Sequence, residues 1–187
     1  MSKVGSGKWQ TETGVPSAPD AIKFCSHCGA EMGSRLVGDK LRRACTACGF
    51  VHFTDPKVGV GVFVQQDGNV LLIQRAVLPQ IGRWSVPAGY VDRGEDPKET
   101  AVREVYEETN LHVEIERLID VFHNANSGGG ASIFILYQAK LLSGQLQAGD
   151  DASDARFFAP DALPELAFAH TRKTITTLTN DWVASGE

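Results

Sequence analysis

The sequence lacks the features that would place it in a membrane or outside the cell. No apolar run reaches the length of about 18 residues that a membrane-spanning helix needs. The first twenty residues contain no hydrophobic core of the kind that a signal peptide requires. We therefore expect a soluble, cytoplasmic protein that has no membrane partner.

A positive charge excess is also missing. The 187 residues carry a formal net charge of -5, and charges of both signs are scattered along the chain. Such a chain has no broad positive field to attract a nucleic-acid backbone, so a nucleic-acid partner is not expected. An acidic protein can still bind a phosphate-containing substrate when a divalent cation supplies the positive charge.

The distribution of residue types predicts three segments. A hydrophobic content of 42% in 187 residues supports one ordinary core and a small additional module. All the cysteines lie between Cys25 and Cys48, whereas the acidic clusters and β-branched runs lie beyond Val58. We predict a flexible tail over 1–20, a small domain over 21–54 and the main domain over 55–187.

The four cysteines have the spacing of a zinc ribbon. Two Cys-x-x-Cys pairs are separated by sixteen residues, and Gly38-Asp39 between them predicts a tight hairpin turn. Four thiolates leave Zn²⁺ no open position for water, so the predicted site is structural and consists of Cys25, Cys28, Cys45 and Cys48. Disulfides or a redox Cys-x-x-Cys are alternatives, which a reducing compartment and the doubled motif disfavour. His27 in place of one cysteine ligand is a further alternative.

Hydrophobic patterning predicts a mixed sheet with helices in the main domain. Strands are expected at 58–64, 70–75, 113–122, 132–142 and 155–158, and helices at 97–109, 161–166 and 171–183. The helix over 97–109 begins with an N-cap aspartate, Asp96, and a proline at its first position. An apolar stripe on this helix is predicted to face the core and consists of Val102, Val105 and Tyr106.

Three carboxylates share another, exposed face of the same helix. Glu104, Glu107 and Glu108 stand at positions i, i+3 and i+4. Carboxylates this close repel one another unless a cation lies between them, which predicts Mg²⁺ or Mn²⁺ bound by these oxygens. A solvated acidic face of a surface helix is the alternative.

The segment from Gly89 to Leu111 resembles the Nudix box. The box is glycine, five residues, Glu, seven residues, and then Arg-Glu-aliphatic-x-Glu-Glu-x-Gly-aliphatic. The chain matches eight of the nine specified positions: Gly89, Glu95, Arg103, Glu104, Val105, Glu107, Glu108 and Leu111. The departure is Asn110, which stands where the box has glycine.

This resemblance implies the fold and the site. The fold class is α+β, a Nudix α/β/α sandwich with a mixed sheet, preceded by the small N-terminal zinc ribbon. Glu104, Glu107 and Glu108 would carry the catalytic metals with the carbonyl of Gly89. Glu95 and Arg103 would form a structural ion pair. The general base stays open among Glu107, Glu108, Asp150, Asp151 and Asp154.

Segments outside the box are similar to those of zinc-ribbon Nudix hydrolases that act on FAD and ADP-ribose, including plant chloroplast diphosphatases. They are the ribbon, 82–90 and 154–168. The similarity implies hydrolysis of a diphosphate bridge with release of AMP, and a homodimer as one assembly. An NADH diphosphatase is the second candidate, although its Ser-Gln-Pro-Trp-Pro-Phe-Pro signature is missing. A nucleotide-sensing module whose ribbon binds a macromolecule and a sanitiser of oxidised triphosphates are further alternatives.

Substrate contacts have the weakest signal. A purine or flavin ring needs a flat apolar partner, for which the candidates are Trp84, Tyr90, Phe122 and Phe134, and Asp154 is a candidate polar contact. Aromatic side chains with such neighbours more often belong to a core, and loop aspartates are more often solvated. Both readings stay open from the sequence.

Overall fold

The chain divides into two compact units, Met1–Asp55 and Pro56–Glu187. The computed structural model describes residues 22–123, 133–168, 171–172 and 174–178, so the predicted tail over 1–20 lies outside the described residues. Within these described ranges, no helix combines the length and the apolar character needed to cross a membrane.

A two-stranded hairpin forms the first unit. Strands β1 (Met32–Val37) and β2 (Lys40–Cys45) pair antiparallel, and Gly38 in the predicted turn has a φ of 65°. Isolated bridges from Phe24 to Glu31 and from Ala44 to Val51 add one short segment on each side of the hairpin. The core of this unit is small, because Cys25, Met32 and Cys45 form its buried apolar cluster and Ala44 is the other buried apolar residue among its described residues.

The second unit is built on one mixed sheet. Its strands are β3 (Val58–Gln66), β4 (Asn69–Arg75), β5 (Trp84–Ser85), β6 (Ala88–Tyr90), β7 (Leu111–His123), β8 (Ile133–Gly144) and β9 (Ala152–Phe158). The order is β5-β4-β3-β8-β7, with β6 paired to β3 and β9 paired to β4. Strands β3 and β8 run parallel, and the other named pairs are antiparallel. The predicted mixed sheet is confirmed.

Helices cover both faces of this sheet. On one face, a cluster around Val62 and Leu71 buries Ala101 and Val105 of helix α1 (Pro97–Thr109). On the other face, a cluster around Phe63 includes Ile175. Ile175 belongs to a helical segment whose described residues are 171–172 and 174–178. Successive side chains of a strand point to opposite faces, so β3 and β4 serve both layers. The predicted α/β/α sandwich is confirmed.

Helix α1 has the predicted bounds. The Asp96 side chain accepts a hydrogen bond from the backbone N–H of Lys98 at 2.7 Å, and Asn110 ends the helix in the left-handed conformation with φ 57°. Asparagine therefore replaces the glycine of the box at little steric cost. The prediction that Tyr106 faces the core is wrong. Its side chain is 46% exposed and stacks on His112 at 4.9 Å between ring centroids.

Two other predictions about local structure need correction. The helix expected at 161–166 does not form; Pro164 removes a helical donor, and Leu166 instead bridges in parallel to Trp84. The Trp84 N–H donates to the Glu165 carbonyl at 3.0 Å, and the Ala167 N–H donates to the Trp84 carbonyl at 2.8 Å. Residues 179–183 of the last predicted helix lie outside the described residues.

Candidate functional site

Glu104 lies where helix α1 passes strand β6, and its side chain is buried. A Cβ added to Gly89 of β6 would overlap the Glu104 carboxyl group. Glycine at this position is thus what lets the carboxylate approach the strand so closely. Burial is the main cause that raises the pKa of Glu104, and Glu107 and Asp150 add to it, whereas Arg103 opposes it.

Glu108 lies one turn further along the helix and is only 3% exposed. Its Oε2 accepts a hydrogen bond from the backbone N–H of Ala88 at 2.9 Å. Burial raises the pKa of Glu108 to about 8, with Glu104 and Asp151 as further raising charges and Arg75 as a lowering one. The expectation that all three carboxylates lie on an exposed face is therefore wrong for Glu104 and Glu108, because β6 covers them.

Arg103 hydrogen-bonds to several of the acidic groups. Its Nε and Nη2 donate to the two carboxylate oxygens of Glu95 at 2.8 and 3.2 Å. The remaining terminal nitrogen, Nη1, donates to Glu104 at 2.9 Å and to Glu107 at 2.8 Å. The Arg103 hydrogen bond is the main cause that lowers the pKa of Glu95 to about 2. One guanidinium thus links three carboxylates.

The loop after β8 closes the carboxyl end of the helix. The backbone N–H groups of Gln147 and Gly149 donate to the carbonyls of Thr109 and Glu108 at 3.0 and 3.2 Å. A Cβ at Gly149 would lie 2.7 Å from the Glu107 carbonyl oxygen, so glycine permits this contact. The loop consequently brings acidic residues 150 and 151 close enough to raise the pKa values of the buried glutamates.

Asp154 has a different environment from these two loop aspartates. It lies in β9, opposite Gln74. Its carboxylate accepts from the N–H of Ala155 at 2.8 Å and forms an ion pair with Arg156 at 2.6 Å. Of the three aspartates named as candidate bases, Asp150 and Asp151 are the ones that interact electrostatically with the helix carboxylates.

Arg75 is a site residue that the sequence reasoning missed. It ends strand β4, and its charge lowers the pKa of Glu108. Its Nε donates to the Pro79 carbonyl at 2.8 Å, and its guanidinium carbon lies 5.6 Å from the centroid of the Phe168 ring. The sequence signal was faint: an arginine at the end of a strand, directly before a loop.

The aromatic candidates lie in two environments. Tyr90, next to Gly89 in β6, is 48% exposed, and Lys57 Nζ lies 5.4 Å from its ring centroid. Trp84 and Phe122 pack against the core cluster that contains Ile175. Trp84 also makes an edge contact with Phe158 at 4.8 Å between ring centroids. Tyr90 is therefore the candidate whose ring has a surface available to a nucleotide.

The cysteine cluster fits a tetrahedral zinc ion. The four sulfur atoms lie within 4.8 Å of one another, with 3.8 Å between Cys25 and Cys48 and 3.5 Å between Cys28 and Cys45. Zinc–sulfur bonds of about 2.3 Å in a tetrahedron give sulfur separations of about 3.8 Å. Backbone N–H groups of Cys48 and Ala47 donate to the Cys45 sulfur at 3.4 Å each, and such hydrogen bonds stabilise the thiolate that zinc binds.

The three glutamates offer a suitable donor set but are less tightly grouped. Among the described residues, the cysteines are the group of three or more ligand side chains whose donor atoms all lie within 4.8 Å. Hard divalent cations take carboxylate oxygens together with water and phosphate oxygens, so three protein ligands on one turn suit them. Arg103 Nη1 lies between Glu104 and Glu107, because it donates to both carboxylates. A metal cation bound there would replace these two hydrogen bonds, and the hydrogen bond from Arg103 Nε to Glu95 would remain.

Fold and site together define a Nudix hydrolase, and the comparisons agree. The NUDIX domain model matches residues 55–178, and the zinc-ribbon model described as Nudix N-terminal matches residues 23–54. The chain belongs to the Nudix family, whose enzymes use divalent metal ions.

Relatives with known names and structures lie at moderate identity. An ADP-ribose pyrophosphatase of Methanocaldococcus jannaschii is 36% identical over 121 residues, 64% of this chain and 72% of that protein. The NAD-capped RNA hydrolase NudC of Stutzerimonas stutzeri is 31% identical over 147 residues, 77% of this chain. The chain spans only 50% of that NudC. A Nudix hydrolase structure from Nitrosomonas europaea has a TM-score of 0.78 at 33% identity, covering 86% of this chain and 92% of that one.

Gly89→Ala is expected to lower stability by about 1–3 kcal/mol, the usual cost of overpacking a filled site. The new methyl group would overlap the Glu104 carboxyl group and push it off the strand. Chemical denaturation of both single variants and the double variant measures the coupling with Glu104→Ala. In the Glu104→Ala background the glycine substitution should cost clearly less; an equal cost in both backgrounds would contradict the proposed contact.

Proposed function

We propose that this protein hydrolyses the diphosphate bridge of ADP-ribose, FAD or both, releases AMP, and uses Mg²⁺ or Mn²⁺. The observation that carries the proposal is the pair of buried carboxylates, Glu104 and Glu108, held against β6 beside two further acidic loop residues. A protein rarely buries like charges together unless a cation or a proton compensates them. The relative named ADP-ribose pyrophosphatase supports this choice of substrate.

The proposed roles follow from the positions of the side chains. Glu104, Glu107 and Glu108, with the Gly89 carbonyl, would hold the divalent ions, which neutralise phosphate charge and favour hydroxide formation from water at neutral pH. Arg75, whose charge lowers the pKa of Glu108, would contact a phosphate oxygen of the substrate. A carboxylate among Glu107, Glu108, Asp150 and Asp151 would accept the proton of the attacking water.

A substrate panel tests this proposal directly. The purified protein is incubated with Mg²⁺ and, in separate reactions, ADP-ribose, FAD, NADH and nucleoside triphosphates, and the products are separated by chromatography. We expect AMP from ADP-ribose or FAD at a higher kcat/KM than for the triphosphates. Preference for an oxidised triphosphate would instead indicate a sanitising enzyme. Tight nucleotide binding without turnover of any compound would indicate a sensing module.

NAD(H) is the second candidate substrate, and one observation favours it. The similarity to the NudC of Vibrio parahaemolyticus extends over 148 residues, 79% of this chain, although that protein is 27% identical and the chain spans 55% of it. NudC is named for hydrolysis of NAD-capped RNA. Release of AMP and reduced nicotinamide mononucleotide from NADH at the highest kcat/KM of the panel would favour this assignment.

The affinity for Mg²⁺ is expected to rise with pH. Burial raises the pKa of Glu108 to about 8, and a bound cation requires the ionised carboxylate, so binding releases this proton. Affinity should therefore increase by up to about tenfold per pH unit below pH 8 and level off above it. Calorimetric titration from pH 6 to 9 measures this slope, and Glu108→Gln should reduce it to the part that Glu104 contributes. A wild-type affinity that is constant over this range would contradict the role of Glu108.

A further inference from the structure

One face of the ribbon hairpin gathers cations. Directly opposed residues of an antiparallel pair point to the same side of a sheet. The register places Arg35 opposite Arg42, and Val37 opposite Lys40. These two pairs are separated by two residues along each strand, so all four side chains lie on one face. The opposite face contains Met32 and Cys45, which belong to the small core.

The bridges at the two sides extend this face and add an exposed phenylalanine at each margin. Glu31 points to the same side as Arg35, four residues further along the chain. Phe24 lies opposite Glu31 and therefore shares this side, and Phe24 is 62% exposed. Val51 lies opposite Ala44, so Phe53, two residues further, shares the side of Arg42 and is 55% exposed. Arg42 confirms this placement, because its guanidinium carbon lies 4.6 Å from the centroid of the Phe53 ring. We call this surface the ribbon face: Phe24, Arg35, Lys40, Arg42 and Phe53.

The ribbon differs in charge from the rest of the chain. Residues 22–54 contain five cations, Lys23, Arg35, Lys40, Arg42 and Arg43, and two anions, Glu31 and Asp39, in a chain whose net charge is -5. Arg43 points to the opposite face, where it donates to the carbonyls of Ile22 and Met32 at 2.8 and 2.6 Å. Three of the five cations therefore lie on the ribbon face, and Glu31 at its margin is the anion there.

We propose that the ribbon face binds single-stranded nucleic acid. Phosphates would contact Lys40 and Arg42 first, because Arg35 Nη2 already donates to the Gly49 carbonyl at 3.4 Å. Bases would stack on Phe24 and Phe53. Flat sheet surfaces that combine cations with exposed aromatic rings serve this purpose, because every base offers a face for stacking whatever its sequence. Duplex DNA or RNA, whose bases are already stacked, would leave both phenylalanine rings without a partner.

Fluorescence anisotropy with labelled fifteen-nucleotide RNA and DNA single strands tests the proposal on the full-length, zinc-loaded protein. Stacking on an aromatic ring contributes about 1–3 kcal/mol per base, so Phe24→Ala and Phe53→Ala should each weaken binding by a factor between about 5 and about 140. Lys40→Glu with Arg42→Glu should reduce the slope of log affinity against log salt by at least about 0.7 for each lost phosphate contact.

Matched controls lie on the opposite face of the same hairpin. Leu36, which is 66% exposed, and Lys23 alternate to that side, so Leu36→Ala and Lys23→Glu should leave the affinity within about twofold. Zinc content verifies that every variant keeps its ribbon. The single strand that binds with the higher affinity, RNA or DNA, would identify the kind of nucleic acid. The proposal is overturned if neither the RNA nor the DNA single strand binds at low salt, or if the phenylalanine variants bind with wild-type affinity. Tight binding of a poly-glutamate peptide by a protein that binds neither single strand would also overturn it.

Discussion

Glu108→Gln is expected to lower kcat by roughly a hundredfold to a thousandfold while the fold stays intact. A metal ligand contributes several kcal/mol of charge stabilisation in the transition state, and each 1.36 kcal/mol is a factor of ten in rate. Glutamine has nearly the same shape, and its carbonyl oxygen can accept the hydrogen bond that the Ala88 N–H now donates to Glu108 Oε2 at 2.9 Å. Packing at this buried position is therefore preserved.

The effect of Glu108→Gln on the free energy of unfolding distinguishes a functional carboxylate from a structural one. The pKa of Glu108 is raised to about 8 in the folded protein, so its protonated form is the one that the fold favours. This contribution is complete below the pKa of the unfolded chain, near 4.5, and is lost as pH rises through 8. Glutamine has no proton to lose. Without added metal at pH 9, the variant should be at least as stable as the wild type.

The control for this variant is Glu99→Gln. Glu99 lies in the first turn of the same helix and does not belong to the carboxylate group. Its loss removes one acid near the positive end of the helix dipole, which costs about 0.3–1 kcal/mol of stability and should leave kcat unchanged. Steady-state kinetics and urea denaturation of both variants suffice. Wild-type kcat in Glu108→Gln, or equal losses in both variants, would remove Glu108 from the site.

Local signals determined which parts of helix α1 could be predicted. Asp96, Pro97 and Asn110 act on the backbone within a few residues, so the helix bounds followed from the sequence. The burial of Glu108 depends on the N–H of Ala88, twenty residues away in the chain, and on how β6 pairs with β3. Neither contact has a periodic signature, because β6 is three residues long and follows Pro87.

The same limit explains the two residues that sequence reasoning misjudged near the site. The periodicity of helix α1 placed Tyr106 on its apolar stripe, although Ala101 and Val105 already fill the space against the sheet. Arg75 stood out only once the fold showed its charge acting on Glu108 and its guanidinium lying near Phe168. Phe168 reaches that position because 165–167 hydrogen-bond to Trp84, a pairing that replaces the predicted helix at 161–166.

Zinc removal is expected to unfold residues 22–54 and to leave the Pro56–Glu187 unit folded. The buried apolar residues of the ribbon are Cys25, Met32, Ala44 and Cys45, and two of these four are proposed ligands. A core of this size cannot offset the conformational entropy of some thirty residues, whereas structural zinc contributes an apparent 10–16 kcal/mol or so. The second unit has two clusters of its own, built on both faces of its sheet.

Hydrogen exchange measured by mass spectrometry after chelation resolves the two units. Amides of β1 and β2 should lose protection entirely, and those of β3 and β4 should keep theirs. Cys45→Ser should reproduce the effect without chelator, because it deletes the buried thiolate that the N–H groups of Ala47 and Cys48 stabilise. Ser26→Ala, between two ligands, is the matched control and should retain one zinc per chain. Persistent protection of the hairpin in zinc-free protein would mean that other contacts hold the ribbon, because its own core is too small to do so.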